Sequence, residues 1–96
     1  MFARVSTIRG PSDRIDEAAR AYREQAIPFV RQLGGFKGAY WLANRQTGTV
    51  LGVTLWESEE AMRASEAQVD QRRRESARAV GATVESVEEY EVIAQA

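Results

Sequence analysis

The side chains best suited to hold a ligand fall on one face of a predicted β-hairpin. Trp56 ends the second strand of that hairpin, and strand alternation puts Thr54 and Gly52 on the same face. An indole N–H and a hydroxyl can donate hydrogen bonds to a ligand oxygen, and a glycine leaves room for a ring. In the strand register that we predict, Tyr40 of the first strand joins them. The four residues indicate a pocket wall, with Trp56 as a core aromatic and Tyr40 as a packed rim residue as the competing interpretations.

A second polar group lies on the predicted second helix. Ser65, Gln68 and Arg72 recur at three-to-four spacing and interrupt the apolar stripe of that helix. Two interpretations remain open. Either these residues complete the pocket wall, with Arg72 as a clamp for an anion or a carbonyl, or the helix is rotated and they are solvated.

The first strand adds two more polar residues. Ser6 is predicted to line the same pocket, and Arg4 shares its face of the strand. An unpaired buried charge is costly, so a buried Arg4 needs a carboxylate partner. Glu88 on the last strand is the candidate.

The composition removes several kinds of chemistry. The chain has no cysteine and no histidine. Thiolate nucleophiles, the commonest metal ligand and the usual general base are therefore missing. The carboxylates follow no recognised metal-binding spacing, so we predict no metal and no cofactor.

Charge and hydropathy argue against nucleic acid and membrane as partners. The net charge is -1, and the basic run at 72–74 is surrounded by Glu66, Asp70 and Glu75, which can form ion pairs along a helix. No apolar run approaches the ~18 residues of a membrane span, and the N-terminus lacks the apolar core of a signal peptide. We predict a cytoplasmic protein.

Local patterns predict one domain over residues 1–96 with the element order β-α-β-β-α-β. The predicted strands are 2–9, 36–45, 49–57 and 84–93. The first helix is capped by Ser12 or Asp13 and has a break or a kink near Ile27, because the ring of Pro28 cannot continue a regular helix. The second begins after Ser58 and runs to about Val80. With right-handed crossovers this order is the ferredoxin-like α+β fold, a four-stranded antiparallel sheet with both helices on one face.

The turn between the two hairpin strands decides which side chains share a face. A three-residue loop, Gln46-Thr47-Gly48, is the predicted connection and places Tyr40 opposite Thr54. A two-residue loop would shift the pairing by one residue and turn Tyr40 to the other face. The register, and with it the side that Tyr40 occupies, stays open at this point.

The hairpin is apolar on both faces, whereas the helices can cover only one. Leu51, Val53 and Leu55 lie on the uncovered side, together with Trp41 in the predicted register. An exposed patch of this kind is most simply buried against a second copy. We predict a homodimer with these four residues at its interface.

Two segments resemble a known family. Gly34-Gly35-Phe36-Lys37-Gly38-Ala39 enters the second strand, and Val53-Thr54-Leu55-Trp56-Glu57-Ser58-Glu59-Glu60-Ala61 leaves the third. Together they resemble the antibiotic biosynthesis monooxygenase domain of the dimeric α+β barrel superfamily. The resemblance implies a dimer with a cavity between sheet and helices. It also implies an asparagine four residues before the tryptophan in quinone-oxidising members, where this chain has Gly52, and a haem-ligating histidine in haem-degrading members, where this chain has none.

Two functions follow from these expectations. The first is a small dimeric protein that binds an apolar or aromatic metabolite. Oxidation of that metabolite without metal or flavin is an open extension of this function. The alternative is a non-catalytic ligand-binding or accessory module on the same scaffold. The replacement of the amide by Gly52 favours the alternative, because a glycine cannot stabilise a developing oxyanion through its side chain.

Overall fold

The computed structural model of the protein describes all residues, Met1–Ala96. Its strands are β1 (Phe2–Arg9), β2 (Phe36–Asn44), β3 (Thr49–Trp56) and β4 (Thr83–Glu91). Its helices are α1 (Ile15–Ala21), α2 (Ile27–Val30), α3 (Glu59–Ala64) and α4 (Glu66–Ala79), and one π-helical segment, Tyr22–Ala26, joins α1 to α2. The four strands form one antiparallel sheet in the order β2-β3-β1-β4. The predicted ferredoxin-like fold class is confirmed. No helix is both long and apolar enough to cross a bilayer.

The first helical region is shaped by Pro28. The helix is not broken at Ile27, because residues 15–30 stay helical through α1, the π-helical segment and α2, but an irregularity does precede the proline, which lies in the first positions of α2. Ahead of it the helix widens, and the backbone N–H of Ile27 donates to the carbonyl of Tyr22, five residues back. The wider turn accommodates a residue that has no N–H and whose ring would strike a regular turn. The predicted N-cap is wrong, since a short 3-10 turn, Ser12–Arg14, precedes α1 and no side chain caps it.

The second helical region begins as predicted and then breaks. The hydroxyl of Ser58 accepts a hydrogen bond from the backbone N–H of Ala61 at 3.1 Å, which confirms the N-cap. The single long helix is wrong, because Ser65 separates α3 from α4. The Ser65 hydroxyl donates to the carbonyl of Met62 at 2.7 Å. This bond to a carbonyl three residues back competes with regular helix continuation.

The predicted hairpin register is wrong by one residue. Asn44 pairs with Thr49, so the loop has four residues rather than three. The side-chain oxygen of Asn44 accepts from the backbone N–H groups of Gln46 and Thr47, and its backbone carbonyl accepts from Gly48. These three bonds stabilise the longer turn at the asparagine. Gly48 has a φ of 77°, and a Cβ there would lie 2.1 Å from the carbonyl oxygen of Gly10.

The shifted register exchanges two aromatic residues between the faces of the sheet. Tyr40 pairs with Val53 and Trp41 with Gly52. Tyr40 therefore lies on the outer face, where 63% of it is exposed, and Trp41 lies under the helices. The placement of Tyr40 in the pocket and of Trp41 on the outer face is corrected. Both errors have one cause, because a one-residue slip moves every side chain of a strand to the opposite face.

The sheet and α3 enclose a small, dense core. Trp56 is fully buried, and the largest other side chains sealed beside it are Arg4 and Met62, each 1% exposed. The Trp56 ring packs edge-on against Phe36 with centroids 5.7 Å apart. Full burial of a large aromatic side chain removes a large apolar area from water and so stabilises this end of the molecule.

Candidate functional site

A cavity of about 220 Å³ opens between the sheet and the helices. The sheet contributes Ser6, Trp41 and Thr54, and the helices contribute Tyr22, Phe29 and Arg72 among others. The π-helical segment supplies part of this wall through Tyr22, Gln25 and Ala26. The turn that accommodates Pro28 therefore also positions side chains at the cavity.

One wall of the cavity is a pair of stacked aromatic rings. The rings of Tyr22 and Trp41 have centroids 5.2 Å apart and planes inclined by only 18°. Burial raises the pKa of the Tyr22 hydroxyl above its usual value. Tyr22 therefore stays protonated at neutral pH and acts as a hydrogen-bond donor rather than as a base.

Gly52 makes room for Trp41. A Cβ built on Gly52 would lie 3.3 Å from Nε1 of Trp41 and 3.4 Å from its Cδ1. The indole ring thus occupies the space over strand β3 that a side chain at position 52 would use. The indole N–H of Trp41 makes no hydrogen bond within the chain, whereas the N–H of Trp56 donates to Thr54 at 2.9 Å. The cavity therefore has one free indole donor on its sheet side.

Arg4 lies at the inner end of the cavity and is held by carboxylates from two elements. Its Nη2 is 2.8 Å from Glu66 and 3.9 Å from Glu89. The predicted partner Glu88 is wrong, since it pairs with Val5 and so belongs to the outer face. Burial lowers the pKa of Arg4, Glu66 opposes that shift, and the nearby Arg73 adds to it.

Two arginines of α4, Arg72 and Arg73, line the cavity together with Arg4. Arg73 is 9% exposed, and its Nη1 donates to Asp70 at 2.7 Å. Arg72 has no carboxylate partner, and its guanidinium carbon lies 3.9 Å above the centre of the Phe29 ring. Stacking on an aromatic ring orients a guanidinium while leaving its edge donors free.

Half of the eight residues predicted for the pocket line the cavity, namely Ser6, Gly52, Thr54 and Arg72. The other four do not. Trp56 and Ser65 are sealed in the core, where Ser65 accepts a hydrogen bond from Nη1 of Arg4 at 3.3 Å. Gln68 lies on the exposed side of α4, and Tyr40 is on the opposite face of the sheet.

Several lining residues were missed although the sequence carries a signal for them. Arg73 falls between Val69 and Ala77 at spacing four, so the apolar stripe of α4 already marked it as inward-facing. Tyr22 and Phe29 likewise belong to the apolar stripe of the first helix. Trp41 could not be found in this way, because its face depends on the register.

The cavity wall contains groups that can hold a flat molecule. It offers stacked rings, neutral donors and guanidinium groups, and no group of three or more His, Cys, Asp or Glu side chains could hold a metal ion. These groups can position a flat molecule and stabilise negative charge on its oxygen atoms.

Comparison with known families agrees with this geometry. Residues 1–73 match the family model described as antibiotic biosynthesis monooxygenase. The chain belongs to this family. The match includes all of the sheet except β4, and it includes the Trp56–Ser58 corner on which the resemblance in sequence depended.

Two curated relatives of this family member are described as uncharacterized proteins. Protein Rv2557 of Mycobacterium tuberculosis is 35% identical over 94 residues, which are 98% of this chain and 42% of the relative. Rv2558 of the same organism is 32% identical over 65 residues, 68% of this chain and 28% of the relative. The chain thus spans less than half the length of the curated relatives that it matches.

Solved structures with the same fold include proteins with bound ligands. The heme-degrader MhuD of M. tuberculosis, with two hemes bound in its active site, superposes with a TM-score of 0.77 at 24% identity and covers 100% of this chain and 99% of its own. The monooxygenase from the ActVA-Orf6 gene of Streptomyces coelicolor, in complex with nanaomycin D, gives 0.72 at 18% identity and covers 99% and 89%. At these identities the likeness establishes the fold.

Proposed function

We propose that this family member binds a flat aromatic metabolite in the cavity between its sheet and its helices. The observation that carries the proposal is the stacked Tyr22–Trp41 pair in the cavity wall, with planes 18° apart. Aromatic ligands stack on such surfaces in offset geometry, and the pair is already held in place by the fold.

The size of the cavity sets the size of the ligand. A cavity of about 220 Å³ exceeds the ~150 Å³ that encloses a single benzene ring and is below the ~300 Å³ of common drug-sized sites. Two to three fused rings suit it. A porphyrin is larger than this, and the chain has no histidine to ligate haem iron.

The polar groups near the stack indicate that the ligand carries oxygen. The free N–H of Trp41 and the protonated hydroxyl of Tyr22 are both donors. A carbonyl or hydroxyl oxygen on the ring system would accept from them, whereas a pure hydrocarbon would leave both unsatisfied. Quinone-like compounds have this combination of flat rings and acceptors.

The test uses 2-methyl-1,4-naphthoquinone as a quencher of tryptophan fluorescence. Trp41→Phe keeps an aromatic ring over Gly52 but removes the indole donor, so affinity should fall by about two- to tenfold. Trp56→Phe is the matched control, because its N–H is already satisfied by Thr54. Calorimetry on the same variants separates affinity from the loss of a fluorophore. Unchanged affinity in Trp41→Phe, or an equal loss in Trp56→Phe, would contradict this site.

Oxidation of the bound compound by dioxygen is the second candidate function, and the family to which the chain belongs favours it. For anthrone, the methylene carbon would lose two hydrogens and gain one oxygen atom of dioxygen, and the other oxygen atom would leave as water. The chain would orient the substrate and stabilise its enolate oxygen through donors such as Trp41. We expect weak oxygen uptake that chelators do not change. Uptake no faster than without protein would leave binding as the function.

A second copy of the chain is the proposed partner of the outer sheet face. Support comes from the exposed large side chains on that face, Tyr40 at 63%, Leu42 at 51% and Tyr90 at 49%, which surround Leu51, Val53 and Leu55. Light scattering should give about twice the 10.7 kDa chain mass. Val53→Glu would bury a charge in the dry interface and should give a monomer, with Gln68→Glu on exposed α4 as the control. A monomeric parent would disprove the interface.

A further inference from the structure

The inward surface of the cavity carries more positive than negative charge. Three arginines line it, Arg4, Arg72 and Arg73, against a single carboxylate, Glu75. The carboxylates that neutralise the arginines, Glu66, Asp70 and Glu89, do not line the cavity. A molecule inside the cavity therefore lies closer to the guanidinium groups than to the carboxylates that pair with them.

Two of these guanidinium groups have unused donors in the protein interior. Nε of Arg4 and Nη2 of Arg73 are buried and make no hydrogen bond. Such orphan donors are rare in folded proteins and are costly, because each has lost its water without gaining a partner. Both atoms are shielded from solvent, so they place uncompensated positive charge beside the cavity rather than in direct contact with its contents.

The third guanidinium, that of Arg72, is oriented by a contact with an aromatic ring. Arg72 is exposed at the cavity and has no ion pair, although α4 is rich in acidic residues. Its position 3.9 Å above Phe29 fixes the plane of the group without consuming its N–H donors. Arg74, two residues along the same helix, differs because it pairs with Asp70 at 3.1 Å and does not line the cavity.

We propose that the ligand is an aromatic acid, a flat ring system bearing a carboxylate or phenolate oxygen that the exposed donors of Arg72 bind, next to the buried charge of Arg73, while the ring stacks on Tyr22 and Trp41. The buried charge of Arg4 adds to the electrostatic attraction between the cavity wall and an anionic ligand. The inference rests on the proposed binding function and goes beyond it by assigning a charge to the ligand. An anionic oxygen forms stronger hydrogen bonds with guanidinium groups than a neutral acceptor does, and the low local dielectric increases the difference.

The experiment compares naphthalene-2-carboxylate with naphthalene-2-carboxamide by calorimetry at neutral pH. The two probes share size and ring system and differ in charge. We expect the carboxylate to bind about tenfold or more tightly than the amide. Amide binding reports on the aromatic site alone, so its absence together with absent carboxylate binding would reject the proposed function itself.

Three matched variants locate the charge recognition on the helix. Arg72→Met and Arg73→Met should each lower carboxylate affinity by about fivefold or more and change amide affinity by less than about twofold. Arg74→Met removes the same charge from the same helix outside the cavity and should leave both affinities unchanged. Circular dichroism and thermal unfolding confirm that each variant is folded.

Two outcomes would overturn the assignment while leaving the binding function intact. One is equal affinity of the parent protein for the two naphthalene probes. The other is a loss in Arg74→Met as large as in Arg72→Met, which would mean that the probes respond to net charge rather than to these donors.

Discussion

The two tryptophans lie on the same face of the same sheet but in opposite surroundings. Trp56 is fully buried, packs edge-on against Phe36 and donates its N–H to Thr54. Trp41, one strand away, is half-buried, stacks on Tyr22 and leaves its N–H without a partner. One residue type therefore closes the core at one end of the sheet and lines a cavity at the other.

The difference teaches that the hydrogen bonding of the two indole N–H groups distinguishes the core from the cavity in this molecule. Around Trp56 the fold supplies a partner for the buried indole donor, as stable cores do. Around the cavity, Nη2 of Arg73 is left without one and the N–H of Trp41 has no partner within the chain, while Arg4, whose Nε is also unpaired, lies between the two regions at 5.7 Å from the Trp56 ring. Local conflicts with the rules of stable packing are expected at functional sites, where a ligand completes the contacts.

The largest effect that tests this contrast is on stability. Trp56→Ala should lower the free energy of unfolding by about 3–5 kcal/mol, because it opens a cavity in a sealed core. Trp41→Ala should cost about 1–2 kcal/mol, because the ring is partly hydrated already and its N–H loses no partner. Chemical denaturation followed by circular dichroism measures both. Equal losses would mean that the two rings serve the same structural purpose.

A smaller effect tests the fit of Trp41 over Gly52. In Gly52→Ala the new methyl would lie 3.3 Å from Nε1 of Trp41, so the ring must move by a few tenths of an ångström. Affinity for 2-methyl-1,4-naphthoquinone should fall by about two- to fivefold, a cost of less than about 1 kcal/mol. The larger Gly52→Asn should displace the ring further, so the asparagine that the family resemblance implies at this position cannot simply be restored.

Gly34→Ala is the matched control for that substitution. A Cβ on Gly34 would meet nothing within 4 Å, and the residue lies outside the cavity. Unfolding and binding should both stay close to those of the parent. Weaker binding in Gly34→Ala, or unchanged binding in Gly52→Ala, would contradict the proposal that ligand binding depends on the position of the Trp41 ring over Gly52.

Local sequence determined the framework of this protein because its signals act over a few residues. Ser58 caps the helix after β3 through its own hydroxyl, and Pro28 disturbs the regular helix in the turn before it. Alternation along β3 separates Gly52 and Thr54 from Leu51 and Val53 without reference to any other strand. Element order and the face of each β3 residue were therefore predictable.

Only the tertiary structure decided which residues meet at the cavity. The side chain of Asn44 closes a four-residue turn, and this shift alone puts Trp41 rather than Tyr40 beneath the helices. Glu66 rather than Glu88 pairs with Arg4, because the break at Ser65 sets where α4 begins over the sheet. The Asn44 hydrogen bonds are local, but the same segment also allows a three-residue loop, and the choice between the two turns depends on how the paired strands then pack. The position of α4 over the sheet depends on contacts between distant groups.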